Sequence, residues 1–369
     1  MGECHVCGRR SRLISDDLGV CLDCIRKRPS ESLAVTEKVH WLSRKEFGLP
    51  ASVPRDSDGI LCGMCSNDCR IGVGSKGFCG LVANFDGKLV RLGGSPEKGI
   101  LDWYYDPLPT NCVAEWFCPG CTGAGYPKYA YTTMAEVGYV NLAVFYGGCS
   151  FNCLYCQNWH YHTLASELKP AVSSRDLASK VNRNVSCVCF FGGDPSVQML
   201  HALDTSRLAL SRAEKGYILR ICWETNGYWK EEFAIRAAEY SLASGGVIKV
   251  DLKSWDQNLS LALSGVSNLP SLKSFKTIGD RFYGKRPEVP ILTASTLLVP
   301  GYVDEQEVED ISRFVASIDP KIPYTLLAFY PQFMITDLPT TSRRLAFACR
   351  EAALKNLENV RIGNIQLLS

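Results

Sequence analysis

The chain has 369 residues, 46% of them hydrophobic, enough to fill one large barrel-type domain with a small module appended, so disorder is excluded as the default state. Forty basic against 38 acidic residues leave a net charge of +2, which gives no global field to select nucleic acid or anionic lipid. No run approaches the ~20 apolar residues of a membrane span, and the first residues lack the basic and apolar regions of a secretory signal, so a cytoplasmic protein with no membrane partner is expected.

Eighteen cysteines, most of them in short-spaced clusters, point to metal ligation in a reducing compartment rather than to disulfides. Cys4-x2-Cys7 and Cys21-x2-Cys24 have the spacing of a four-cysteine knuckle, which closes a tetrahedron around zinc or a lone iron and lets a stretch without its own core fold. Residues 31–58 read as a short helix and a linker. Cys62, Cys65, Cys69 and Cys79, with glycines between the last two, supply four more thiolates, suited either to structural zinc or to an auxiliary iron–sulfur cluster. Asp86-Gly87 marks a hairpin over 84–92. An aromatic stretch then encloses Cys112, Cys118 and Cys121, a three-cysteine set that either holds an auxiliary cluster with a further ligand or is in part structural. Cys187, Cys189, Cys222 and Cys349 fall in apolar segments and are expected to be buried structural thiols.

From Tyr139 onward strands and helices alternate, which predicts a parallel sheet wrapped by helices. Six strand–helix units are counted. Their strands end at Phe145, Phe191, Trp223, Val250, Val299 and Phe329, and helices are predicted over 196–215, 230–243 and 342–357, with Val308, Ile311, Val315 and Ile318 on one face of another. The expected fold is α/β, a partial (β/α)6 barrel with small cysteine-rich metal-binding modules at the N-terminus. Its domains would be a knuckle over 1–30, a linker and cysteine-rich region over 31–138, and the barrel over 139–369.

The chemistry centres on Cys149-x3-Cys153-x2-Cys156, directly after the first barrel strand. Three thiolates can hold three corners of a cubane and leave the fourth iron without a protein ligand; a zinc knuckle with a borrowed ligand is the alternative. Other motifs also stand at strand ends, where barrel loops converge on one mouth. Gly192 and Gly193 allow close backbone approach, and Asp194 can accept from an amino group. Glu224 and Asn226 offer partners for ribose hydroxyls, and Asp251 and Lys253 can meet a zwitterion. Each of these also has a plainer reading as a turn, cap or ion pair.

Cys153-Leu-Tyr-Cys156-Gln-Asn-Trp159, Asp251-Leu-Lys253, Val299-Pro-Gly-Tyr-Val303, Ala328-Phe-Tyr-Pro331 and Arg361-Ile-Gly-Asn364 resemble the radical S-adenosylmethionine (SAM) superfamily, and within it pyruvate formate-lyase activating enzymes and the AmmeMemoRadiSam subset. The 62–80 run is similar to that subset too. The resemblance implies a [4Fe–4S] cluster that donates one electron to SAM, a 5′-deoxyadenosyl radical that takes hydrogen from a substrate, and an electron donor such as ferredoxin or flavodoxin. It leaves the substrate, protein or otherwise, unassigned, and no catalytic side chain beyond the cofactor ligands is assigned. Asp194 stands where the family usually has Glu, and Tyr330 where the activating enzymes tend to carry His. Installation of a glycyl radical on a partner protein is the alternative enzyme reading, and an iron–sulfur electron-transfer or metal-scaffold protein the alternative from another class.

Overall fold

A computed structural model describes residues 1–213 and 216–369. Seven parallel strands lie side by side in chain order: β1 Val140–Tyr146, β2 Val185–Gly192, β3 Arg220–Thr225, β4 Ile248–Asp251, β5 Leu292–Leu298, β6 Tyr324–Ala328 and β7 Val360–Gly363. β1 and β2 read as near-continuous apolar runs because both faces are covered, helices on one side and the barrel interior on the other. The six expected strand–helix units are all present. β7 is an addition, too short and too interrupted by Arg361 and Gly363 to announce itself as a strand.

Before the barrel proper, Gly99–Pro107 pairs antiparallel along the whole of β1, from Leu101 opposite Tyr146 to Pro107 opposite Val140, and Ala171–Val172 pairs with its outer edge. The sheet therefore stays open, a partial barrel with antiparallel strands beyond β1. The expected hairpin is present as Val82–Phe85 and Lys88–Arg91.

The helices fall close to their expected places. Met199–Ser211 follows a 3-10 turn at Pro195–Val197; its predicted end at Lys215 lies outside the described residues. Glu305–Ala316 is capped by Asp304, whose carboxylate accepts from the Glu307 N–H, and it buries Val308, Ile311 and Val315. Ser342 caps Arg343–Leu354 in the same way.

Two segments depart from expectation. Residues 31–58 are not chiefly a linker: the 17-residue helix Pro29–Lys45 opens on a proline and buries Thr36, His40, Ser43 and Arg44. The N-terminal knuckle does not stand alone either, because Leu18, Val20 and Ile25 belong to the same buried cluster as the barrel strands. Tyr302 fixes this docking, its hydroxyl donating to the Val20 carbonyl at 2.8 Å and accepting from the Ser15 N–H at 3.0 Å. Arg26 adds a two-pronged ion pair to Asp304 and a third contact to Glu307.

Residues 108–139 cross the amino-terminal end of the barrel. Arg220, the first residue of β3, and Glu136 form a buried bidentate pair there at 2.6 and 2.9 Å, and Trp116 donates to Thr325 at the start of β6. Both ends of that ion pair are removed from water, a cost reduced because the Tyr129 carbonyl and the Ser186 hydroxyl accept further hydrogens of the two terminal guanidinium nitrogens. No helix among the described residues is long and apolar enough to cross a membrane.

Candidate active site

β1 delivers the chain to Gly147 and Gly148, where it turns sharply: Gly148 has φ +79, and its carbonyl accepts from the Asp194 N–H at 3.1 Å. The next residues are held from below. The Asn152 and Leu154 N–H groups donate to the Ser264 and Leu263 carbonyls, both at 2.9 Å. The Asn152 amide donates to His40 Nδ1 and to the Ser43 hydroxyl, each at 2.9 Å, while its oxygen faces His162 Nε2 at 3.2 Å. With Nδ1 accepting, His40 presents Nε2–H to the Ala262 carbonyl at 3.1 Å, and burial pushes its pKa down to about 4, so the ring is neutral. The loop that carries Cys149, Cys153 and Cys156 is thus fixed on three sides before any ligand arrives.

The three cysteines line a cavity of about 880 Å³, open to solvent, together with Gly192, Gly193, Glu224, Asn226, Asp251 and Lys253. Every strand-end residue predicted for the site is there except Asp194. Burial pushes all three thiols up, Cys156 to about 12, so a metal must displace their protons on binding. The Asn226 amide lies 3.6 Å from the Cys149 sulfur and the Ser264 hydroxyl 3.3 Å from that of Cys153, polar groups able to support thiolate charge. Three soft donors around an open space fit an iron–sulfur cluster with one iron left for another ligand.

Asp194 lies behind the cavity wall. Its carboxylate is 1% exposed and does not line the cavity; one oxygen accepts from the Thr225 hydroxyl and the Asn226 N–H, the other from the Ser150 hydroxyl and the Ser196 N–H. Burial raises its pKa and these four donors work against that rise. The acid is fully engaged in holding the turn, which leaves the backbone of Gly192 and Gly193 to face a ligand. Glycine is required at both positions: Gly192 has φ +109, and a Cβ on Gly193 would stand 2.1 Å from the Gly148 carbonyl oxygen.

Asp251 and Lys253 form an ion pair at 2.7 Å, with Ser295 donating to the other carboxylate oxygen. Burial opposes the Lys253 charge, but Asp251 and Cys153 outweigh it and hold the pKa well above its ordinary value. Glu224 faces Lys249 at 3.5 Å. Sequence reasoning missed Ser150 and Ser264, which carry no motif, and Lys249, whose signal was a charge inside the apolar strand β4.

The remaining cysteines fall into distinct settings. Cys4, Cys7, Cys21 and Cys24 bring their sulfurs within 4.8 Å of one another, the one such group among the described residues, with Cys7 and Cys21 at 3.9 Å. Metal–thiolate bonds of ~2.3 Å make a tetrahedron with edges of about 3.8 Å, so this set fits a single ion. Cys62, Cys65, Cys69 and Cys79 share the lining of a small cavity of about 300 Å³ without reaching that mutual spacing. Cys121 sits against the Thr110 carbonyl at 3.9 Å, and Cys349 is fully buried in the core. Cys112 and Cys118 line a second chamber in the barrel together with Cys187, Cys189 and Cys222, which are therefore not isolated core thiols.

Comparison with known proteins bears on this geometry. A family model described as the Radical SAM superfamily matches residues 143–315. A putative glycyl-radical enzyme activating enzyme of Methanocaldococcus jannaschii is 27% identical over 220 residues, 58% of this chain and 76% of that protein. A second protein of the same organism is 24% identical over 319 residues, 84% of this chain and 83% of that one. Among solved structures, a domain of pyruvate-formate lyase-activating enzyme from Bacteroides vulgatus matches with a TM-score of 0.38 at 19% identity, over 48% of this chain and 98% of that one. SuiB from Streptococcus suis bound to S-adenosylmethionine matches with a TM-score of 0.43 at 14% identity, over 58% of this chain and 47% of that one, about half its length.

Proposed function

Starting from a protein that is a radical SAM enzyme by its domain over 143–315, we propose that Cys149, Cys153 and Cys156 hold its [4Fe–4S] cluster and that the cavity beside them holds SAM and a protein or peptide substrate. The observation that carries this is the meeting of three cysteines from one loop, Cys149 and Cys153 buried and Cys156 half-buried, with the ends of β2, β3 and β4 around one open cavity. When bound, the cluster and SAM supply the one-electron cleavage that yields a 5′-deoxyadenosyl radical.

The chain's own residues bind and orient. Gly192 and Gly193 present backbone to the SAM amino group, Glu224 and Asn226 offer partners to the ribose, and Lys253, paired with Asp251, faces the carboxylate end. Asp194 acts at one remove by keeping the 192–194 turn in shape. Phe191, Leu297 and Leu327 give the cavity an apolar wall that limits water near a reactive radical. Zinc is the ion proposed for Cys4, Cys7, Cys21 and Cys24, as a structural site in a module over 1–30, with 31–138 a separate cysteine-rich region before the barrel. For Cys62, Cys65, Cys69 and Cys79 the wider spacing favours an iron–sulfur cluster. A ferredoxin or flavodoxin would supply the electron, in the cytoplasm, where thiols stay reduced.

Glycyl-radical installation on a partner protein is a second reading, favoured by the name of the M. jannaschii relative. Anaerobic reconstitution with iron and sulfide, then reduction with dithionite in the presence of SAM, tests the main reading. Production of 5′-deoxyadenosine is expected, and its absence from protein with full iron content would overturn the proposal. A persistent carbon-centred radical on an added partner protein would select the second reading.

A further inference from the structure

Below the SAM cavity, towards the amino-terminal end of the strands, the barrel holds a second chamber, also open to solvent. Five cysteines line it: Cys112 and Cys118 from the segment that crosses the barrel's end, Cys187 and Cys189 from β2, and Cys222 from β3. Their convergence follows from strand geometry. Residues two apart on a strand face the same side, and the β2–β3 register sets Cys189 directly beside Cys222 and Cys187 beside Arg220.

A cation sits among these sulfurs. Lys249 is 3% exposed, and its ammonium lies 3.0 Å from the Cys189 sulfur, 3.2 Å from that of Cys112 and 3.5 Å from a Glu224 oxygen. Cysteines that serve only as small hydrophobes would be surrounded by apolar groups. Burying an ammonium beside them instead carries a large desolvation cost, which the Glu224 carboxylate at 3.5 Å offsets in part and negatively charged sulfurs at 3.0 and 3.2 Å would offset further. Metal-bound thiolates carry that charge. A single ion is disfavoured, since among the described residues only the N-terminal quartet has sulfurs close enough to share one. Thiolates spread around one chamber, too far apart to share a single ion, suit a polynuclear centre, whose net negative charge Lys249 would balance.

We propose that this chamber binds an auxiliary iron–sulfur cluster, with ligands drawn from Cys112, Cys118, Cys187, Cys189 and Cys222 and with Lys249 as its counter-cation. Phe191 and Glu224 line both this chamber and the SAM cavity, so the cluster stands behind a shared wall from the site of radical formation. The binding claim rests on the chamber alone and survives or fails independently of SAM cleavage.

The test uses the full chain, reconstituted anaerobically with iron and sulfide. In the variant Cys149→Ala/Cys153→Ala/Cys156→Ala, further replacement Cys112→Ala/Cys189→Ala/Cys222→Ala should remove about two or about four more irons per chain with matching acid-labile sulfide, the content of one [2Fe–2S] or [4Fe–4S] centre. Equal iron in the two variants would overturn the proposal, as would loss of iron without sulfide. Should the six-fold variant fail to fold, Cys189→Ser/Cys222→Ser in the otherwise intact chain decides. A cluster with four thiolate ligands drawn from five cysteines must use at least one of this pair. Its Mössbauer and electron paramagnetic resonance spectra should therefore change; spectra identical to those of the unmodified chain would overturn the assignment. SAM cleavage by that variant, measured alongside, separates failure here from failure of the functional reading.

Discussion

At the N-terminus, Cys4, Cys7, Cys21 and Cys24 draw their sulfurs into one tight group that could hold a single ion, whereas Cys149, Cys153 and Cys156 stand around an open cavity. Both sets are short-spaced cysteines on glycine-bearing loops, and spacing along the chain barely distinguishes them. Their surroundings do. The knuckle packs its four sulfurs against the core, where a fourth thiolate would complete the coordination of an ion; the barrel loop ends its set at three and turns the open side towards the ends of neighbouring strands. A closed set builds structure and an open one admits a reactant.

The contrast is broken most completely by Cys149→Ala/Cys153→Ala/Cys156→Ala. This variant should make no detectable 5′-deoxyadenosine by chromatography after reduction, while the metal of the N-terminal quartet, measured by elemental analysis, stays at the level of the unmodified chain. Next in size is Gly193→Ala. The added methyl collides with the backbone of Gly148 rather than with a flexible side chain, and overpacking of this kind costs roughly 1–3 kcal/mol. Because the distortion falls on the cavity wall, SAM affinity should drop about tenfold or more in a titration, with iron content retained.

Asp194→Ala should come third, and it should act on stability first. The Thr225 hydroxyl and the Asn226 and Ser196 N–H groups lose their acceptor in a buried place, while the Ser150 hydroxyl can turn to Asn226 Oδ1 at 3.1 Å, at a cost of roughly 1–3 kcal/mol in denaturant unfolding. Asp194→Glu should be destabilising too, since the extra methylene has nowhere to go at 1% exposure. An Ala variant of unchanged stability and weakened SAM binding would restore the direct contact expected from sequence. Arg26→Ala should give the smallest effect, about 1 kcal/mol, because the arginine is partly exposed and Glu307 keeps the Trp255 and Asp256 N–H groups as partners. Its signature is a faster loss of the quartet's metal to a chelator; an unchanged rate would show that the knuckle does not depend on this anchor.

Much of the site was legible in the sequence because buried parallel strands write themselves as apolar runs, and a barrel collects whatever follows each run at one mouth. That is why Cys149, Gly192, Glu224 and Asp251 could be gathered without coordinates. Asp194 is placed by sequence beside the site, but which way its carboxylate faces depends on donors from Ser150 and Thr225, far away in sequence. The chamber around Lys249 was hidden for a related reason: the pairing of Cys189 with Cys222 is a matter of strand register, and Cys112 arrives from an insertion with no repeating pattern. Pro29–Lys45 was underestimated because its buried face is made of Thr36, His40, Ser43 and Arg44, which no hydrophobic periodicity reveals.

That helix has a mechanical consequence. The chain leaves the knuckle at Cys24, whose carbonyl accepts from the Arg28 N–H, and enters Pro29–Lys45 at once; near its far end His40 and Ser43 clasp Asn152 in the middle of the loop bearing Cys149 and Cys153. The helix Pro29–Lys45 is therefore a strut between the two cysteine centres, joined to the knuckle's short helix Leu22–Lys27 through the non-helical Arg28. Cutting the chain at about residue 31 would not trim a detachable tag but would leave the strut with one free end, and the looseness would be felt where the radical chemistry requires the loop to stand still.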